Sequence, residues 1–399
     1  MDIGKKLIVQ LLITALYLIS LTVNASDVLA FGGITFQGGA KELPILYPYS
    51  ASIVKTDKVS RTIFRQLLKT PPKNFSISPQ LLDKDEGHRY AFSLMIDNEN
   101  VSVEKLSMTG NIRYKVVVYL SAQIVMFDVT RSQFLASIPL IPIQRTETLV
   151  NPPSESELKA FVRKLVGSIP TANDDIDSNE SLVPRFIKLI TSAKSPTKAN
   201  LTQIAVNTIE IQDKALHALP DYYKKNKNGA LKRFIAQQIT KNLSVNQQVA
   251  TQPYVVDASV LTMQGRFTGG DETYTLTLPE PAYVVDFILR GFKKIETSQK
   301  AGVVANYATF SHFQLRENTS DKKLVFAQRI KNGGIKVIPR LQTLVDDWAA
   351  FRESLLGLLN KSTTTLHDTR SSFYKAQKYP KKTKKQLISL EKVYKQCKV

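Results

Sequence analysis

The chain carries one cysteine, Cys397, and one tryptophan. A single thiol excludes any internal disulfide, so no cross-link staples this fold, and Cys397 is either a free thiol or half of an intermolecular bridge. Histidine is scarce as well. His88, His217, His312 and His367 are scattered, and none has a second ligand at metal spacing. Neither a Gly-x-Ser-x-Gly elbow nor a His-Glu-x-x-His helix occurs. Gly32, Gly33, Gly38 and Gly39 lack the Gly-Lys-Ser/Thr continuation of a phosphate loop, and Asp83-Lys-Asp-Glu-Gly87 lacks the later ligands and closing Glu of a calcium loop. Asp346-Asp347 is explained by its place at a helix N-terminus, where carboxylates suit the dipole. From motifs alone no catalytic, metal or cofactor site is expected, although a cleft of scattered residues escapes a motif search.

Long apolar runs are also missing, with one exception. Leu7 to Val23 follows Lys5 and Lys6 and ends at Val23-Asn-Ala25, a small-residue cleavage site of the secretory type. Cleavage after Ala25 is the expectation, with an uncleaved anchor as the alternative because the run approaches bilayer-spanning length. No cysteine stands near the signal to take a lipid. An exported protein, periplasmic or extracellular, with a membrane-peripheral position as a further option, is therefore expected.

What the chain has in excess is positive charge, with 54 Lys and Arg against 34 Asp and Glu. The surplus is concentrated at the end. Residues 370–399 hold one acid, Glu391, among lysines Lys375, Lys378, Lys381, Lys382, Lys384, Lys385, Lys392, Lys395 and Lys398, interleaved with Phe373, Tyr374, Tyr379 and Tyr394. Such a stretch suits an anionic polymer or membrane surface. Charge runs are as often solvated faces that keep a protein soluble. Leu387, Ile388 and Leu390 add only a small apolar patch.

The folded part is organised around Tyr114 to Ile169. Tyr114 to Val129 is β-branched, aromatic and free of Gly and Pro, which argues a buried strand, and Gln133 to Leu140 returns as a second. Ser154-Glu-Ser-Glu157 then opens a helix as a capping box, with Leu158, Phe161, Val162, Leu165, Val166 and Ile169 on one face. A shift of 190 residues lays these on Trp348, Phe351, Arg352, Leu355, Leu356 and Leu359, so only Val162, falling on Arg352, breaks the apolar pattern. Gly302 to Leu315 and Lys323 to Ile330 stand where the earlier strand pair stood. The helix at Asp57 to Lys69 has its echo at Ala230 to Leu243, where Leu231, Phe234, Ile235 and Ile239 take the places of Ser60, Ile63, Phe64 and Leu68. Tandem duplication is the main structural expectation. The alternative is that any two α/β segments share this grammar.

The expected fold class is α+β, with two tandem, duplicated domains, each a mixed sheet with helices packed on it. The first spans 26–169. An acidic linker with a short helix, Leu182 to Ala193, spans 170–203; the second domain spans 204–360, with strands at Tyr254 to Phe267 and Thr273 to Leu278, and a basic tail spans 361–399. The strand Val28 to Phe36, the helix Asp57 to Lys69 and the hairpin Tyr114 to Leu140, closed by Ala136-Ser-Ile138, give an order that resembles the small α/β domain of bacterial envelope proteins. The amino-terminal domain of TolB and the periplasmic domain of curli-secretion-channel proteins are of that type. The resemblance implies a fold and a compartment and no activity.

Two classes of function follow. The first is a non-enzymatic envelope scaffold or assembly factor that binds envelope proteins through its domains and an anionic surface through the tail. The second is a secreted nucleic-acid binder, for which net charge is the footprint. Charge outside the tail is spread over both domains, which favours the first. An enzyme acting on cell-wall polymer is a third and would need a carboxylate-lined cleft.

Overall fold

A computed structural model describes residues 28–38, 42–81, 90–108, 111–167, 181–193, 202–220, 223–224, 229–255, 262–267, 273–300, 302–340, 345, 347–364, 371–377 and 383–398. The expected signal, the calcium-like loop at Asp83, most of the acidic linker and the glycines at 269–270 lie outside them. The first unit comprises β1 (Val28–Gln37), α1 (Leu43–Leu46), α2 (Ser50–Thr56), α3 (Val59–Lys69), β2 (Ser76–Leu81), β3 (Tyr90–Met108), β4 (Asn111–Asp128), β5 (Gln133–Pro139), β6 (Ile143–Leu149), α4 (Glu155–Val166) and α5 (Leu182–Ile190). The second comprises β7 (Ile204–Ile211), α6 (Asp213–Leu216), α7 (Ala230–Gln247), β8 (Thr262–Phe267), β9 (Thr273–Thr277), β10 (Tyr283–Gln299), β11 (Gly302–Glu317), β12 (Leu324–Pro339), α8 (Asp347–Thr364), α9 (Ser372–Ala376) and α10 (Thr383–Gln396).

The two units repeat one topology. In the first, β1 runs parallel to β3, β3 antiparallel to β4, and β4 antiparallel to β5 and β6 in turn. In the second, β7 runs parallel to β10, and β10, β11 and β12 form an antiparallel meander. Each final strand is followed by a long helix, α4 or α8. The fold is α+β with two sheets and helices packed on them, as the residue patterns led us to expect. The last strand differs between the units for a chemical reason. Pro139 and Pro142 lack the N–H that a continuous ladder needs, so β5 and β6 are separate, whereas β12 runs unbroken through Gly333-Gly334.

The hairpin β8–β9, expected in the second domain, belongs to the first sheet. β2 covers only Val28 to Phe31 of one edge of β1, and β8 pairs with the remainder from Thr35 to Gln37. Thr277 of β9 meets Gln133 of β5, and its N–H donates to the Ser132 carbonyl at 2.8 Å. The ring β1-β3-β4-β5-β9-β8 therefore closes on itself and satisfies edges that would otherwise be open. Its interior is filled by Ala30, Met95, Val125, Phe127, Phe134 and Met263. Outside it, helices α1 to α5 pack over Phe31, Phe92 and Phe186, whose rings lie 5.3 and 5.9 Å from Phe31. Helix α4 starts with the expected capping box, in which the Ser154 N–H donates to Glu157 Oε2 at 2.8 Å and the Glu157 N–H donates back to Ser154 Oγ at 3.3 Å. Helix α5 sits on this unit through Leu182, Val183, Phe186 and Ile190.

Helix α7 lies between the sheets and is buried around its circumference. Leu231, Phe234, Ile235 and Ile239 enter a core with Val206, Val285 and Phe287 of the second sheet. Polar side chains on the same helix reach the first unit. Arg233 lies 3.3 Å from Glu42, the Gln237 amide donates to the Asp97 carbonyl, and the Gln238 amide donates to the Tyr119 hydroxyl oxygen. Asp97 occupies a bulge of β3 and accepts hydrogen bonds from Ser121 and, at 3.0 Å, Gln123. Glu99 accepts from the Tyr49 and Ser50 N–H groups at 3.0 and 2.8 Å. Burial raises both carboxyls, and Asp97 is pushed up to about 6 against the pull of those donors. The space left in this seam is about 10 Å³, enough for a water and no substrate.

The C-terminal residues are part of the second core rather than a free tail. Helix α8 runs past residue 360 to Thr364, and Phe373, Leu387, Leu390, Val393, Tyr394 and Cys397 are all buried. The Ala250 N–H donates to the Cys397 carbonyl at 2.8 Å. Cys397 is a free thiol, 1% exposed, and burial pushes it up to about 12, so a bridge to another chain has no access to it.

Two outcomes are expected. Because Ile239 is inaccessible and its helix serves both units, Ile239→Ala should cost about 2–5 kcal/mol in urea unfolding. That loss should shift one cooperative transition, and two transitions of which only one moves would mean independent domains. The raised Asp97 carboxyl binds its proton more tightly folded than unfolded, so its contribution to stability is complete below pH ~4 and is lost as pH rises through about 6. Asp97→Asn should flatten that part of a stability profile measured between pH 4 and 7.

Candidate anionic-surface interface

The terminal lysines are placed by two glutamines. The Gln377 amide spans the backbone of Lys331 on the edge strand β12, accepting from its N–H at 2.9 Å and donating to its carbonyl at 2.9 Å. Gln328, further back on β12, donates to Thr383 Oγ1 at 2.9 Å and to Gln386 Oε1 at 2.8 Å. Helices α9 and α10 are thereby fixed along the β12 edge, which they shield from pairing with another chain. Thr383, Leu387, Leu390, Tyr394 and Cys397 recur at helical spacing and face inward. The other side of α10 must then carry its cations. Lys384, Lys385, Lys392 and Lys395 are exposed there beside Ile388, and Lys375 is exposed on α9. Glu391 pairs with Lys395 at 2.9 Å and offsets one of them. Lys378, Lys381 and Lys382 lie outside the described residues.

The outer face of the second sheet supplies cations that the sequence reading missed. Side chains alternate across a strand, so with Tyr307, Phe313 and Leu315 of β11 in the core, Phe310, His312 and Gln314 face outward. His312 is opposite Arg329 of β12, and Phe310 is opposite Lys331. A bulge between Leu289 and Gly291 on β10 places Arg290 close enough to act on His312 electrostatically. The His312 pKa is lowered, first by burial and then by Arg329 and Arg290. Arg316 is neutralised by Asp286 at 2.8 Å.

Along β12 the exposed row reads Arg329, Lys331, Gly333, Ile335, Val337, passing from basic to apolar on one face. Ile335 and Val337 are 69% and 67% exposed, and Ile295 of β10, two strands away on the same level, is 51% exposed. The period-two alternation was present in the sequence. The expected strand stopped at Ile330, and β10 was not assigned as a strand, so the row was not seen. Among the described residues no group of three His, Cys, Asp or Glu side chains is arranged to hold a metal, and no helix is long and apolar enough to cross a membrane. His217 ends α6, remote in sequence from the strand of His312, while His88 and His367 lie outside the described residues.

No family model matches the chain, and no curated protein matches it. Among solved structures, it is similar to a putative neuraminyllactose-binding hemagglutinin homolog from Helicobacter pylori, at 14% identity over 49% of this chain and 92% of that chain, with a TM-score of 0.28. It is also similar to the hypothetical protein CT253 from Chlamydia trachomatis, at 11% identity over 41% of this chain and 91% of that chain, with a TM-score of 0.24. Likeness at that level carries no functional argument.

The geometry makes His312 a probe of this face. Arg329→Gln should raise the His312 pKa measured by NMR titration of the imidazole, yet leave it below 6.5, because burial is the larger cause. An unchanged titration would mean that Arg329 does not face His312 in solution.

Proposed function

We propose that the chain is a non-enzymatic, exported envelope protein, a scaffold or assembly factor whose second unit docks on an anionic surface while both units meet envelope proteins. The observation that carries this reading is the β12 row that passes from Arg329 and Lys331 to Ile335 and Val337, flanked by the exposed lysines of α9 and α10. Cations suit phosphate-bearing headgroups, and apolar side chains projecting beside them suit the boundary beneath. That pairing favours an anionic lipid surface over a purely polar polymer. The resemblance to small α/β domains of bacterial envelope proteins, the export signal and the periplasmic or extracellular location belong to the same proposal.

One specific feature favours a second reading. Phe310 lies on an open sheet face opposite Lys331 and two residues from His312, and an aromatic among cations is the usual platform for single-stranded nucleic acid. The two readings separate in one experiment, run with the full chain because Phe373, Leu387, Leu390, Val393, Tyr394 and Cys397 are part of the core. Mature protein is sedimented with neutral vesicles, with vesicles rich in phosphatidylglycerol, and with single-stranded DNA, at low and high salt. Each cation near an anionic membrane contributes about 1 kcal/mol, so Lys384→Gln/Lys385→Gln/Lys392→Gln should lower vesicle partitioning about a hundredfold. Ile335→Ser/Val337→Ser should weaken vesicle binding alone, and Phe310→Ala should weaken DNA binding alone. Failure of the unaltered protein to sediment with anionic vesicles at low salt would remove the first reading.

A further inference from the structure

A cleft of about 290 Å³ opens where the two units meet, away from the basic sheet face. One wall is a single face of α8, carrying Trp348, Arg352 and Leu356 one turn apart. The opposite wall is the first unit, with Val117 of β4 and Thr146 of β6. Two ion pairs stand at the rim, Glu104 with Lys115 at 3.4 Å and Glu353 with Lys336 at 3.4 Å. Each neutralises itself, which leaves Arg352, among the described residues, as the charge of the cleft with no ion-pair partner.

Arg352 is only 9% exposed, and its Cζ lies 5.6 Å from the ring centroids of both Tyr119 and Phe234. Those rings hold the guanidinium without accepting hydrogen bonds in its plane. Its Nε finds no acceptor among the described residues, nor does Nε1 of Trp348, which is 7% exposed. Leaving the buried Nε–H of a guanidinium and a buried indole N–H without acceptors is unfavourable. The repeat sharpens the point. The residue equivalent to Arg352 in the first unit is Val162, wholly buried in the core, so an apolar side chain serves this helix position when only packing is required.

We propose that this cleft binds a small organic monocarboxylate. The carboxylate lies in the plane of the Arg352 guanidinium, whose fork matches its geometry, and the Trp348 N–H donates to the same ligand. Its body lies against Val117, Leu356 and the indole. A phosphate or other dianion would carry a second charge with no cation left to meet it, because the two rim lysines are already paired with Glu104 and Glu353. The volume sits at the small end of ligand sites, which suits a small organic acid.

Trp348 is the one tryptophan of the chain, so its fluorescence reports the cleft directly. The full-length mature protein is titrated with acetate, benzoate and N-acetylalanine, and with N-acetylalanine amide and inorganic phosphate as controls. The expected result is a saturable change with at least one carboxylate and none with the neutral amide or with phosphate. Arg352→Gln should weaken that binding by about tenfold or more. Should this variant fail to fold by circular dichroism, Thr146→Phe decides, since it projects from an exposed position into the cleft and should abolish the response while leaving the fold intact. Saturation by the amide, a Thr146→Phe protein that binds as before, or no saturation by any of the three carboxylates would overturn the proposal.

Discussion

A single helix with two incompatible neighbours holds this molecule together. Helix α7 must present an apolar stripe to the second sheet and bond with polar groups of the first, and it is buried on both sides. A helix hydrophobic all round could pack there, but it would leave the Asp97 carbonyl and the Tyr119 hydroxyl facing hydrocarbon. The sequence resolves this with Leu231, Phe234, Ile235 and Ile239 on one side, and Arg233, Gln237 and Gln238 on another. The cost is two carboxyls, Asp97 and Glu99, desolvated in the same seam. Each is held by donors fixed in the backbone or on neighbouring strands, which keeps the cost of burying it moderate.

Edge control explains the departures from a simple tandem repeat. A parallel β1–β3 pair leaves the far edge of β1 open, and β2 is too short to cover it. The second unit sends the hairpin β8–β9 out of its own crossover to complete that edge, so the first sheet is finished by residues far along the chain. The prolines at 139 and 142 serve the same end. They free β5 to leave the plane of β6 and meet β9, a movement that the continuous β12 does not make. At the β12 edge a side chain does the work instead, with Gln377 occupying both backbone groups of Lys331.

The elements legible in the sequence were those whose signal is local. The capping box of Ser154, the helices at 57–69 and 230–243, and the paired strands of each unit are set by periodicity and by caps within a few residues. The common order of elements in the two units showed in the same patterns. The destination of β8–β9 was not legible, because its partners are more than a hundred residues away and nothing in its own composition distinguishes one open edge from another. Helix α10 failed for a different reason. Its inward residues are Thr383, Leu387, Leu390, Tyr394 and Cys397, a row diluted by a threonine and a cysteine and surrounded by lysines, so it read as a basic tail rather than as part of a core. Ile388, counted there as part of an apolar patch, faces solvent instead. Of the candidate interface, the lysines were legible as a run and the sheet cations were not, since seeing them required β10 and the full length of β12.

Docking the tail changes what its charge can do. A disordered basic segment loses conformational entropy when it settles on a surface, and that loss subtracts from every contact it makes. Lysines projecting from α10, a helix already fixed to β12, have lost that backbone freedom during folding, so less of the proposed attraction to an anionic surface would be spent on ordering. The same logic reaches the cleft. Arg352 lies against the adjoining rings of Tyr119 and Phe234, Tyr119 is bonded by Gln238, and Phe234 and Gln238 both belong to α7. An acceptor supplied to Arg352 would therefore stabilise the contact between α7, α8 and the first unit in the folded state alone, and by mass action it would strengthen the seam that joins the two sheets. Where the first unit has Val162 and the second has Arg352, filling the cleft would thus also tighten the contact between the two units.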